Sequence, residues 1–149
     1  MIQRKQTLFL LQLVLFSIAM LFVPHQLIYT KFKAHYLCLV PLLDFESTAG
    51  HLAAIALNFI GLVISILTTF LFNKRNLQIK LCYVLILMWS VLLGMIAFCP
   101  FVTNNESIIE IKKNYFGYLC CIFAILAAYL ASRFIKKDVD LLKSADRIR

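Results

Sequence analysis

The chain has 149 residues, of which 62% are hydrophobic and only 15% are charged, and its net charge is +8. A typical soluble domain is about 45–50% apolar and about 25% charged. A domain of this size has too much surface to bury such an apolar excess. The composition therefore excludes an ordinary soluble enzyme and a disordered chain, and it indicates an integral membrane protein.

Four apolar stretches reach the length of a transmembrane helix, about 17–25 residues. They cover approximately residues 7–23, 50–72, 81–99 and 115–135. The first and third stretches stop at Pro24 and Pro100, which cannot continue a helix. Because each stretch is continuously apolar, a barrel of alternating strands is excluded. The sequence predicts an all-α membrane protein with one domain, 1–149, whose four transmembrane helices form an antiparallel bundle.

The first stretch is interpreted as a retained helix and not as a cleaved signal peptide. Its apolar run is long for the core of a signal, and no clear small-x-small cleavage site precedes Pro24. An even number of spans places both termini on one side of the membrane. That side carries eleven Lys and Arg residues and three Asp residues, whereas the other side carries four Lys and four acidic residues. The positive-inside rule therefore predicts that both termini are cytoplasmic.

The loops and the C-terminal segment have patterns of their own. From Leu27 onward apolar or aromatic side chains alternate in the first outer loop, which fits either a short two-stranded β-ribbon or an irregular loop with aromatic residues at the lipid interface. The inner loop, 73–80, is expected to be tight and basic, and the second outer loop, 101–114, to be a polar connection. Residues 134–148 read as an amphipathic helix. This helix, which includes the cytoplasmic tail 136–149, either continues the fourth span or lies on the membrane surface.

Small residues at helical spacing predict where the spans pack, because helices in lipid associate by close contact. The second span carries Gly50, Ala54, Asn58, Gly61 and Ser65. The fourth span carries Gly117, Cys121, Ala124, Ala128 and Ala131, and the third has a shorter series of Ser90, Gly94 and Ala97. Asn58 is interpreted as a helix-to-helix hydrogen-bonding residue in preference to the lining of a pore or substrate site.

The sequence contains no arrangement typical of catalysis, and we predict no catalytic, cofactor-binding or metal-binding residue and no cofactor. No Asp, Glu, Lys or Arg lies in the middle of a span, which counts against an ion channel or coupled pump. The outer residues His25, His35, His51, Asp44 and Glu46 match no metal-ligand spacing and are expected to form an interfacial polar cluster. Cys38 and Cys99 fall on the outer side, where an oxidising compartment would allow a disulfide. Nucleic acid is not implied, because the charge follows the topology rule.

Three blocks of sequence resemble a known family. They are Met1-Ile2-Gln3-Arg4 with Gln6, the stretch from Asn73 to Cys82, and the ending with Lys136-Lys137-Asp138 and Lys143 to Arg149. Together they are similar to an uncharacterised bacterial membrane-protein family, domain of unknown function 4293, over essentially the whole chain. Lys5 departs from the family's pattern, and the first outer loop matches it little. The resemblance implies four spans and a bacterial inner (cytoplasmic) membrane, and it implies no activity.

All three blocks fall on the predicted cytoplasmic side, which suggests an interaction surface there. Its residues would be Gln3, Arg4, Arg75, Gln78, Asp146 and Arg147, and we expect Arg4 or Arg75 to pair with Asp146. The first functional hypothesis is a non-enzymatic scaffold, accessory subunit or assembly factor of an envelope complex. The alternatives are an oligomeric transporter or channel for a small or lipidic solute and, third, a thiol-redox enzyme using Cys38 and Cys99. The expected partners are the lipid bilayer and other membrane proteins or a second copy of the chain.

Overall fold

A computed structural model describes the backbone of residues 2–23, 26–30, 34–37, 49–72, 74–98 and 108–146, and the side chains within 7–23, 29, 50–72, 74–98 and 112–144. Its helices are α1 (Ile2–Phe22), α2 (Ala49–Phe70), α3 (Arg75–Phe98) and α4 (Tyr115–Asp146). Its strands are β1 (Gln26–Thr30), β2 (Ala34–Leu37) and β3 (Ile108–Lys113). The described part of the chain is therefore predominantly helical, with one small sheet.

The helix boundaries follow from local signals. The described helices α1 and α3 end shortly before Pro24 and Pro100. The start of α4 is capped by Asn114, whose Oδ1 accepts a hydrogen bond from the Phe116 amide at 3.3 Å. Three of the four helices, within Gly50–Phe70, Arg75–Phe98 and Tyr115–Ser144, are long and apolar enough to cross a membrane, which suggests a membrane protein. In α1 the apolar part whose side chains are described, Thr7–Phe22, is shorter.

The turn between α2 and α3 is tighter than the sequence predicts. α3 begins at Arg75, so most of the expected loop 73–80 is the first part of the helix. The Lys74 amide donates to the Leu71 carbonyl at 3.1 Å, and the Lys74 carbonyl accepts the Gln78 amide at 3.0 Å. Because Lys, Arg and Gln are good helix formers, polarity alone does not end a helix. The expected start of the third span at about residue 81 marks only where its apolar part begins.

The helices pack in a ring. Each helix contacts two neighbours, in the order α1–α2–α3–α4–α1, and among the described residues no Cα atoms of diagonal helices lie within 8 Å of each other. The Phe9 and Phe134 rings stack with centroids 5.4 Å apart, and Phe16 stacks on Phe123 at 5.9 Å. Residue numbers thus rise along α1 as they fall along α4. The core between the helices includes the buried Leu13, Met20, Leu85, Trp89 and Ile96.

Small and large side chains face each other across the packing surfaces. On α2 the buried residues include Ala54, Asn58, Gly61 and Ser65, and Gly50 is half-buried; on α4 they include Gly117, Cys121, Ala124, Ala128 and Ala131. The small-residue series predicted for α3 is not its packing face, since Ser90 is exposed and a side chain built at Gly94 would meet open space. The buried face of α3 instead carries larger side chains, among them Leu85, Trp89, Leu92 and Ile96. One helix with bulky residues fits against a neighbour with small ones, so small residues are not needed on both.

Large apolar side chains cover the outside of the bundle. Leu8 on α1 is 61% exposed, Phe70 on α2 is 73% exposed, Leu87 on α3 is 65% exposed and Phe116 on α4 is 65% exposed. Soluble monomers rarely display apolar surface on this scale. The exposed residues are those that a lipid environment would cover.

The sheet joins both connections at the end of the bundle where α1 and α3 finish. Its strand order is β2-β1-β3, and both pairings are antiparallel, with Ile28 opposite His35 in β2 and Ile111 in β3. The β-ribbon interpretation of the first outer loop is thus confirmed. The sequence does not predict the third strand, because 101–114 reads as a polar loop. The strand that forms there, Ile108–Lys113, contains isoleucines next to charged residues. Lys112 lies over the Tyr29 ring, 5.3 Å from its centroid, and Lys113 donates to the Ala97 carbonyl at the end of α3.

Candidate functional site at the basic end of the bundle

Charge is concentrated at one end of the bundle, where α2 ends, α3 begins and α4 ends. We call this the basic end. Its described cations are Lys74, Arg75, Lys80, Arg133, Lys136, Lys137 and Lys143, and its described acids are Asp138 and Asp140. The sheet lies at the opposite end. The basic end therefore combines several cations with few acids around the ends of three helices.

An ion pair joins two of these helices. Arg75 Nη1 lies 2.6 Å from Asp138 Oδ2, and the two side chains are only 24% and 13% exposed. The expected partner of Arg75 was Asp146, whose side chain lies outside the described residues. α4 is one continuous helix, so Asp146 lies about 12 Å further along its axis than Asp138. Asp138 is the acid that lies level with the first residue of α3.

Asp138 lies in one of the blocks that carry the family resemblance, but the predicted interaction surface did not include it. The block is Lys136-Lys137-Asp138. Its two lysine neighbours suggested a simple basic stretch. Only the docking of α4 against α3 reveals that the aspartate turns inward while both lysines are exposed.

Gln78 is not a surface residue. It is 4% exposed, and its Nε2 donates to the Thr68 carbonyl of α2 at 3.0 Å. It therefore connects α3 to α2 inside the basic end and is removed from the predicted interaction surface. The side chains of Gln3, Arg4 and Arg147, also assigned to that surface, lie outside the described residues.

The C-terminal amphipathic segment continues the same helix as the last apolar stretch. α4 runs without interruption from Tyr115 to Asp146, and eight of its residues follow Asp138. We call these residues, 139–146, the α4 extension. At 1.5 Å per residue the extension projects about 12 Å beyond its contact with Arg75. Leu141 and Leu142 on the extension are 46% and 47% exposed.

A cleft opens between the start of α3 and the α4 extension. Lys74 through Leu77 form one wall, and Val139, Leu142 and Lys143 form the other. Its volume is about 640 Å³, within the range of about 300–1,000 Å³ that is typical of ligand sites. The sequence analysis did not find this cleft, because its two walls are far apart along the chain.

A second group of polar side chains lies near the middle of the bundle. Asn58 Nδ2 donates to the Ser17 carbonyl of α1 at 3.3 Å, which is the helix-to-helix hydrogen bond that the sequence predicts. Asn58 is 2% exposed and so is Trp89, yet Asn58 Oδ1 and Trp89 Nε1 have no hydrogen-bond partner among the described atoms. Buried polar atoms of this kind are uncommon, and each is costly without a partner.

The two cysteines of the redox hypothesis and the outer residues expected to form a polar cluster fall largely outside the described part of the chain. Cys38 and Cys99 lie outside it, as do the side chains of His25, His35, Asp44 and Glu46. Of the candidates, His51 is described and is buried at the start of α2. Within the described ranges, Cys82, Cys120 and Cys121 are free thiols, and no three His, Cys, Asp or Glu residues lie close enough together to hold a metal ion.

The family described as Domain of unknown function (DUF4293) matches residues 2–148. No curated protein and no solved structure matches the chain. The match covers the described helices, the sheet and the basic end alike.

Proposed function

This chain belongs to the DUF4293 family, and from that premise we propose that it is a small integral membrane protein that acts as a non-enzymatic scaffold, accessory subunit or assembly factor for a larger envelope complex. The apolar outer surface and the three helices of membrane-spanning length support its place in a bilayer. The basic end supports an interaction role, because it presents cations and exposed leucines on a braced helix.

In this proposal α1 crosses the membrane as well, which gives four spans in total. The whole helix has 21 residues and is about 31 Å long, of which the apolar part, Thr7–Phe22, covers about 24 Å. A span shorter than the hydrocarbon core of about 30 Å is accommodated by local thinning of the bilayer and by flanking basic side chains that reach the interface. Opposite chain directions in neighbouring helices, as in the stacking of Phe9 on Phe134, support an antiparallel bundle. The positive-inside rule then assigns the basic end, with both termini, to the cytoplasmic side of a bacterial inner membrane.

The observation that carries the proposal is the ion pair between Arg75 and Asp138. It fixes the root of the α4 extension against α3, so that Leu141 is displayed in a defined direction. A surface held in one arrangement loses less conformational entropy when a partner binds. The partner is a membrane or peripheral protein that contacts the α4 extension at the cytoplasmic surface.

Site-specific photo-crosslinking in cells tests this proposal. A photoreactive amino acid at Leu141 is expected to give a discrete protein adduct, identified by mass spectrometry. The matched control is Leu67 on α2, which is 50% exposed within an apolar span and is expected to react with lipid only. The absence of any protein adduct at Leu141 would overturn the proposal.

A second arm tests the role of the ion pair. Asp138→Asn is expected to lower the yield of the Leu141 adduct, whereas Asp140→Asn, at an exposed position on the same helix, leaves it unchanged. The charge swap Arg75→Asp with Asp138→Arg should restore part of the yield, which separates loss of the brace from loss of folding. An undiminished adduct in the Asp138→Asn protein would show that the brace is irrelevant.

An oligomeric transporter for a small solute is the second candidate. The unpartnered Asn58 Oδ1 and Trp89 Nε1 favour it, because buried polar atoms in a membrane bundle are candidates for contact with a polar solute. The same crosslinking experiment distinguishes the two functions. An adduct of twice the chain's mass would favour this candidate over a complex with a different protein.

A further inference from the structure

The cleft at the basic end has the charge of an anion-binding site. Among the described side chains, its walls carry Lys74, Arg75 and Lys143 and no acidic residue. Arg75 is already paired with Asp138, which is mostly buried behind it. The lining therefore does not neutralise the charges of Lys74 and Lys143, both of which are exposed.

Backbone groups add to this charge. α3 begins at Arg75, and the carbonyl of Lys74 accepts the first hydrogen bonds of the helix, from Leu77 and Gln78 at 3.0 Å. The amides of Arg75 and Asn76, which precede these bonds in the first turn, have no acceptor within the helix and carry the positive end of its dipole. The wall formed by Lys74 through Leu77 thus combines cationic side chains with backbone donors.

Besides these cations and Asn76, the lining is apolar and consists of Leu77, Val139 and Leu142. Leu77 is 42% exposed and Leu142 is 47% exposed. A free inorganic anion gains nothing from exposed leucines. A molecule with an anionic group next to a hydrocarbon chain satisfies both parts of the lining.

We propose that this cleft binds the headgroup of an anionic phospholipid, with its phosphate between Lys74 and Lys143 and its first acyl carbons against Leu77 and Leu142. The proposal rests on the membrane orientation proposed above, which places the cleft at the cytoplasmic leaflet. Basic pockets between helices on that side are where anionic headgroups bind. The bound lipid would fill the space between α3 and the α4 extension.

Native mass spectrometry of the full chain, released from vesicles of equal phosphatidylglycerol and phosphatidylcholine, tests the proposal. The wild-type protein is expected to retain phosphatidylglycerol in preference to phosphatidylcholine. The double variant Lys74→Gln with Lys143→Gln is expected to lower this preference about 25-fold, since each lysine near an anionic surface contributes on the order of a fivefold gain in binding and the two factors multiply. The matched control, Lys136→Gln with Lys137→Gln, removes two exposed charges of the same helix that do not line the cleft.

The outcomes separate the lipid site from the proposed function. Equal loss of preference in both double variants would show that only net charge matters and would overturn the cleft. A wild-type protein that inserts into vesicles but retains both lipids equally would overturn the lipid site and leave the proposed function standing. Failure of the chain to insert would contradict the proposed function itself. If the cleft variant keeps its lipid but loses the Leu141 adduct, the cleft is a protein-binding surface and the lipid proposal is wrong.

Discussion

Ala53 and Ala54 are neighbours on α2 with opposite environments. Ala54 is completely buried in the core, whereas Ala53 is exposed on the outer face. A helix turns 100° per residue, so adjacent positions differ in what they contact. In a membrane bundle the outer face gains little from further burial, and stability depends on how closely the inner face packs.

We predict that Ala54→Leu destabilises the bundle and Ala53→Leu does not. The larger side chain at residue 54 forces neighbouring helices apart, at a cost of about 1–3 kcal/mol for overpacking a close-packed core. The same change at residue 53 adds an exposed leucine, with an effect within about 0.5 kcal/mol. Thermal unfolding in detergent, followed by circular dichroism, measures both. Equal shifts in the two variants would contradict the packing.

The helices and strands differ in how well each can be predicted from its own segment of sequence. Each helix could be identified from its own sequence, because hydropathy and proline positions act within the segment. The strand β3 could not be identified in this way, because its charged residues are typical of a polar loop. Only its pairing with β1 shows that it is a strand. The pairing of Ile28 with Ile111 is a contact between residues distant in sequence, and such contacts leave no local pattern.

Engineered cysteines test the register of this pairing. In a chain whose five native cysteines are replaced by alanine, Ile28→Cys with Ile111→Cys is expected to form a disulfide readily. Directly opposed residues have Cα atoms about 4.5–5.5 Å apart, which suits a disulfide. Ile28→Cys with Glu110→Cys is the control, since residue 110 is paired with Tyr29 and not with Ile28. Intact mass after alkylation reports both, and equal yields would reject the register.

At the scale of the whole molecule, charge and sheet mark opposite ends of the bundle. The turn between α2 and α3 lies at the basic end. The sheet lies at the other end and contains strands from both the α1–α2 and the α3–α4 connections. The two ends of the bundle therefore differ chemically. The membrane orientation proposed above follows from this difference and makes a direct prediction about accessibility.

In the same cysteine-free background, Lys112→Cys is expected to react with a membrane-impermeant thiol reagent in intact cells. Lys136→Cys at the basic end should react only after the cells are permeabilised. Gln3→Cys decides the number of spans: if α1 crosses the membrane, it behaves as Lys136→Cys does. Labelling of Gln3→Cys in intact cells would mean three spans, and labelling of Lys136→Cys there would reverse the orientation.

The sequence by itself determined the helical class, the approximate position of every described helix and the charge asymmetry, and it left the β-ribbon as one of two interpretations. These properties depend on composition and on spacing within a segment, so no folded structure is needed to see them. Only the tertiary structure decided that the bulky face of α3 is its packing face, that Asp138 is the partner of Arg75, that Gln78 is buried and that a cleft opens beside them. Each of these four features depends on which helix faces pack against one another at a given height along the bundle. That choice is made by the fit of side chains from distant segments, and it is not encoded in the periodicity of any one of them.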